Sequence, residues 1–150
     1  MKKFIVLASL IQLIGCGSSS PKLNLPESSF AVWEIYEGSL PCADCSEIKT
    51  RLELFIDHSN AEPPFIIKQA FIGTKDEDRA VIDHGIYGKL KGEYRGSDAT
   101  VYDLNPDKQE KRMYFLRVHA DTLRLVDRNM KEITTGLKYD LVRTETLKER

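Results

Sequence analysis

The sequence predicts an all-β protein, a small antiparallel up-and-down barrel behind a secretory signal and a short tether. Three observations point there. Short runs rich in aromatic and β-branched residues recur from Phe30 onward. Gly, Asn, Asp and Pro clusters separate them at regular intervals. No stretch of about 11 residues or more carries a convincing helical period.

The strands follow in order. Phe30-Ala31-Val32-Trp33-Glu34-Ile35-Tyr36 opens the domain. Ile48, Thr50, Leu52, Leu54 and Ile56 then alternate with Lys49, Arg51, Glu53 and Phe55, the period of two that a half-buried strand requires. Phe65–Phe71 is an apolar run entered after Pro63-Pro64. Val81–Leu90 reads as a strand weakened or bulged at Gly85 and Gly88. Ala99–Leu104, Arg112–His119, Thr122–Asp127, Glu132–Thr134 and Lys138–Arg143 complete the set. Turns are expected at Gly92, Arg95-Gly96-Ser97-Asp98, Asn105-Pro106-Asp107 and Asp127-Arg128-Asn129. Short links between consecutive antiparallel strands favour closure, which removes exposed edges. About eight strands enclose an interior that side chains can fill, or that holds one small apolar ligand.

The barrel is expected over residues 30–143, with a charged, frayed tail at 144–150. Ahead of it, Met1-Lys2-Lys3 is a basic start and Phe4–Ile14 an almost unbroken apolar run, followed by Gly15, Cys16 and Gly17. That order describes a signal peptide over residues 1–15. The run is shorter than the roughly 20 apolar residues of a membrane-spanning helix. Leu13-Ile14-Gly15-Cys16 resembles the lipobox of bacterial lipoproteins, in which the Cys thiol receives diacylglycerol and the new N-terminus is acylated. The resemblance makes Cys16 the lipidation site and the membrane a partner through that lipid. Gly17, where retention at the inner membrane favours Asp, implies the outer membrane. Residues 16–29 form the lipidated Cys and a Ser/Pro-rich tether.

Loss of Lys2 and Lys3 with the signal lowers the 22 basic residues to 20 against 23 acidic ones, a net charge of −3. Such a balance argues against nucleic acid as a partner, because phosphate contact requires a basic face. Three cysteines are an odd number for an oxidising compartment, and assigning Cys16 to lipid leaves the pair Cys42 and Cys45.

Cys42-Ala43-Asp44-Cys45 lies in the turn between the first two strands. Three uses stand open: a structural disulfide, redox exchange, or a soft metal such as Cu(I) held by two thiolates. A disulfide closing so short a loop stabilises by only about 2 kcal/mol. Thioredoxin-like catalysis needs a helix N-terminus after the first thiol, and the flanks here are strands. His58, His84, His119, Met113 and Met130 are further donors, but no spacing brings them to Cys42. There is no phosphate loop, no G-x-S-x-G and no H-E-x-x-H, so the expectation is a non-enzymatic protein. Asp76-Glu77-Asp78-Arg79 reads as a solvated charge run, and Asp127-x-Asn129 as a turn rather than a calcium loop.

Tyr36-Glu37-Gly38-Ser39-Leu40-Pro41-Cys42-Ala43-Asp44-Cys45-Ser46-Glu47-Ile48-Lys49-Thr50-x-Leu52-x-Leu54 resembles the signature of the NlpE family, the copper-resistance or envelope-stress lipoproteins. Gly85-Ile86-Tyr87-Gly88, Leu123-Arg124-Leu125-Val126-Asp127 and Leu137–Arg143 are weaker echoes. Glu47 departs from a usual Gly, and His58-Ser59-Asn60 replaces an expected hairpin Gly. The resemblance covers the family's N-terminal domain only, whereas some members carry a second, OB-like domain. It implies a lipocalin-like barrel, an outer-membrane lipoprotein, copper tolerance, surface adhesion and an envelope-stress signalling partner. It also implies a copper- or redox-sensitive role for Cys42 and Cys45.

Overall fold

A computed structural model describes residues 31–57, 60–74 and 79–148. Eight antiparallel strands close into a barrel in chain order. They are β1 (Val32–Leu40), β2 (Glu47–Ile56), β3 (Pro64–Ile72), β4 (Arg79–Tyr94), β5 (Ser97–Leu104), β6 (Met113–His119), β7 (Thr122–Val126) and β8 (Asp140–Lys148), with a 3-10 turn at Gln109–Lys111. The signal peptide, Cys16, the tether to residue 29, Phe30, His58, Asp76-Glu77-Asp78 and Glu149-Arg150 lie outside the described residues.

The period of two sorts each strand into a core face and an outer face. Leu52 and Leu54 of β2, Phe65 and Ile67 of β3, Tyr102 and Leu104 of β5, and Phe115 of β6 are buried, joined by Tyr36, Tyr87, Leu123 and Leu141. Tyr36, Tyr87, Phe65 and Phe115 are the largest fully buried side chains, so the barrel centre is packed. Trp33 and Phe55, a cross-strand pair with ring centroids 5.1 Å apart, stand one step out of that phase and are only part-buried. A second, smaller core of Val101, Leu116, Val118 and Val126 lies on the opposite face of β5–β7, packed against Tyr94, Tyr114 and Met130.

Three expectations are corrected. Thr144–Lys148 is not a frayed tail but the end of β8. It pairs with the start of β1 through Trp33↔Leu147 and Glu34↔Thr146, and so closes the barrel. Glu132–Thr134 is not a strand, because only one bridge forms there, Val126↔Glu132, at the entry to a loop that folds back against β7. Gly85 and Gly88 do not bulge β4, which pairs without a register shift over its 16 residues. Gly85 serves a close approach instead, since a Cβ there would sit 2.3 Å from Asn105 Oδ1 and 3.1 Å from Phe65 Cε1. β4 changes partner along its length, pairing with β3 up to Ile86 and with β5 from Tyr87 onward.

Alternating strand direction gives the barrel two ends. Val32, the 95–96 turn, the 120–121 turn and Lys148 share one end, where the chain enters the domain. The loops after β1, β3, β5 and β7 share the other.

Candidate functional site

Cys42 and Cys45 sit in the loop between β1 and β2, at the end opposite the chain's entry. Their sulfurs are bonded to each other, with Cα atoms 5.3 Å apart. Both cysteines are half-buried, whereas Ala43 and Asp44 between them are exposed. The loop is pinned from below. Ser46 N–H donates to Ile72 C=O at 2.8 Å, which continues the β2–β3 ladder to the edge of the motif. Gly73 follows with φ +72, and a Cβ there would meet Ser46 Oγ at 2.5 Å. A shallow pocket of about 340 Å³ lies against the disulfide, floored by Ile48 and Phe71. The Arg79 guanidinium stands 5.2 Å over the Phe71 ring at its rim. The bond is therefore held at the end of the β2–β3 ladder, half-buried beside this pocket.

The other candidate donors are placed elsewhere. His84 is an exposed β4 residue opposite Ile66. His119 ends β6 at the far end of the barrel, edge-on to Tyr94 at 6.2 Å. Met113 packs against the main core and Met130 against the second one. None of these four lines the disulfide pocket. Among the described residues there is no group of three His, Cys, Asp or Glu side chains able to hold a metal. In the bonded form neither sulfur is a thiolate, so two-coordinate Cu(I) fits these residues only after reduction.

A polar cluster at the entry end escaped the sequence reading. Glu34 accepts from Arg117 at 3.1 Å, from Arg143 at 2.8 Å and from the Tyr36 hydroxyl at 2.7 Å. Arg117 also donates to the hydroxyls of Tyr36 at 3.1 Å and Tyr102 at 2.5 Å, and its buried Nε has no partner among the described residues. Burial pushes the Tyr36 phenol far above its ordinary range, with the Glu34 carboxylate acting in the same direction. Burial does the same to Tyr87, and raises Tyr102 against the opposing pull of Arg117. The available signal was Glu34 itself, two residues before Tyr36 and therefore on the same face of an otherwise apolar strand.

With this geometry established, comparison with known proteins is decisive about family. The sequence model described as NlpE N-terminal domain matches residues 36–136. This chain belongs to the NlpE N-terminal domain family. Lipoprotein NlpE of Escherichia coli (strain K12) is 29% identical over 149 residues, covering 94% of this chain and 57% of that relative. The chain thus spans little more than half the length of the curated NlpE it matches. No solved structure matches. NlpE is not a known enzyme family. Its signature residues Leu40–Cys45 fall on the end of β1 and the disulfide loop, and Leu52 and Leu54 fall in the core.

Proposed function

We propose that this protein is a non-enzymatic envelope lipoprotein, anchored at the outer membrane through lipid on Cys16. In this reading its Cys42–Cys45 pair reports copper or redox state to an envelope-stress partner. The observation that carries the reading is the placement of the pair, a half-buried disulfide beside a shallow pocket at the end of the barrel away from the chain's entry. β1 has nine residues, so the loop stands about 30 Å along the strand from the chain's entry.

The chemistry is a two-state exchange. An external dithiol gives two electrons and two protons to the Cys42–Cys45 bond and is itself oxidised to a disulfide. The thiols so formed lose their protons as thiolates that hold Cu(I). Trapping free thiols in cells with an alkylating reagent, with and without added copper, tests this. The expected result is a reducible pair whose thiols become protected when copper is present. A pair that stays oxidised in both conditions reduces the disulfide to a turn staple and leaves an interaction module. Cys42→Ser and Cys45→Ser are expected to keep the barrel and lose copper tolerance.

A carrier role for a small apolar ligand is supported by less. Large side chains pack the barrel centre, and the spaces left among the described residues include an open groove of about 570 Å³ along β1–β4, lined by Gly38, Thr50, Gln69 and Val81, and a lateral slot of about 270 Å³ beside Phe65, Ile67, Leu104 and Met113. Native mass spectrometry of the purified protein is expected to show no copurifying lipid.

A further inference from the structure

Arg79–Ile86 of β4 pair with β3 on one side. Among the described residues no strand pairs with the other side of Arg79–His84, because β5 joins β4 only from Tyr87. The phase of the hydrogen bonds identifies the groups on that bare side. Tyr87 N–H donates to Pro63 C=O at 2.9 Å, so odd-numbered residues of β4 aim their backbone groups at β3. Ile86 C=O accepts from Asn105 N–H at 3.0 Å, so even-numbered residues aim theirs away. His84 N–H, on the bare side, is met only by the neighbouring Asp83 carboxylate at 2.9 Å. Ala80 and Ile82 present N–H and C=O there with no backbone partner among the described residues.

The side chains agree. Arg79, Ala80, Val81 and Ile82 are all exposed, Ile82 to 66% and Val81 to 41%. A bare apolar edge is a template for another strand, and the usual guards are Lys, Pro, a bulge or a covering loop. Ala80–Ile82 itself carries no Lys, Pro or bulge, and among the described residues the nearest loop, 105–112, reaches Asp83 through Lys111.

The charges select the partner. Antiparallel pairing of this edge with itself can join even-numbered residues in two nearby registers. Centred on Ile82, it sets Val81 against Asp83 and Arg79 against Gly85, leaving an acid facing an apolar side chain. Centred on Val81, it exchanges backbone bonds between Ala80 and Ile82 on each side, packs Val81 on its own copy, and sets Arg79 opposite Asp83 twice. Opposite charges facing across a non-hydrogen-bonded position stabilise such a ladder. The contact is isologous and closes as a two-fold dimer. Asp83 meanwhile keeps Lys111 Nζ at 3.4 Å, and Arg79 borders the disulfide pocket.

We propose that the Arg79–Asp83 edge of β4 docks antiparallel on the same edge of a second copy of this chain, in the register Val81↔Val81. Each half of the contact then borders a Cys42–Cys45 loop.

The test uses the full chain in the membranes of the cells that make it. Val81→Cys places two thiols on Cα atoms about 4.5 Å apart, within disulfide range. Mild oxidation with diamide is expected to give a disulfide-linked dimer at twice the mass. The unsubstituted chain and Leu137→Cys, exposed to 60% but outside the edge, are expected to give no disulfide-linked dimer. Adding Arg79→Asp, or separately Asp83→Arg, to Val81→Cys is expected to lower the dimer about tenfold by setting like charges opposite each other. Combining both reversals is expected to restore it, and a circular-dichroism spectrum unchanged from that of the parent is expected for each single variant. Cross-linking no greater than that of Leu137→Cys, an adduct with a different protein, or failure of the double reversal to restore the dimer overturns the proposal.

Discussion

Glu34 is the residue on which the entry end of the barrel turns. Its carboxylate is only 13% exposed and answers two guanidinium groups and a phenol. Removing it leaves part-buried Arg117 and Arg143 without their counter-charge. Glu34→Ala is therefore expected to destabilise by about 2–3 kcal/mol in denaturant unfolding, and Glu34→Gln, which keeps an acceptor, by less. The phenols above it set an alkaline limit. Burial raises Tyr36, Tyr87 and Tyr102 in the folded state, so the unfolded chain loses these protons first. The stabilisation is full below about pH 10, the ordinary tyrosine value, and is lost as pH rises through the folded values. Phenolate absorbance from these three residues is expected to appear together with loss of the β circular-dichroism signal, rather than before it. At the disulfide the expectation is modest, since Cys42→Ser with Cys45→Ser removes a very short loop closure, worth about 2 kcal/mol at most.

At the scale of elements, closure depends on the two strands that meet last. β8 beyond Arg143 is what pairs Val32–Ile35 of β1. Ending the chain at Arg143 is expected to leave that half of β1 unpaired on its β8 side, held by β2 alone, and to lower the midpoint of thermal unfolding markedly. Retention of the full midpoint would show that Thr144–Lys148 contributes nothing. Gly38 marks the same seam, because a Cβ there would lie 2.5 Å from Asp140 C=O, a backbone atom that cannot step aside. Gly38→Ala is expected to cost about 1–3 kcal/mol through displaced strands. β7 is held to β8 by Arg124, which grips both Asp140 oxygens at 2.6 and 2.9 Å and also bonds Glu132. That second grip draws the 127–136 loop toward the barrel, which is why a stretch with strand composition, Glu132–Thr134, forms one bridge and no ladder. Strand existence was legible because alternation marks one buried face. Strand ends were less so, since a charged sequence such as Thr144-Glu145-Thr146-Leu147-Lys148 pairs through its backbone and carries no apolar signal.

The whole molecule places two distinct features at its two ends. Chain entry and the Glu34–Arg117–Arg143 cluster share one end, and the disulfide loop stands at the other. A lipid anchor at Cys16 would therefore hold the barrel by its polar end and present Cys42 and Cys45 outward. Tyr36, Tyr87 and Phe115 fill the centre, and the open groove lies along β1–β4 toward the disulfide end. The open β4 edge lies at the disulfide end and is where a second copy can reach it.

By itself the sequence determined that the domain is a β-barrel, that Cys42 and Cys45 occupy its first turn, and that the chain resembles NlpE. These are local properties: period-two alternation, turn chemistry, and residues adjacent in the chain. Only the tertiary structure decided the rest. It joined the two cysteines, kept His84, His119, Met113 and Met130 away from them, built a charge cluster from Glu34, Arg117 and Arg143, and left one side of Arg79–His84 without a strand partner among the described residues. Each of these depends on which strands lie side by side and in what register, and register belongs to the closed barrel as a whole rather than to any segment.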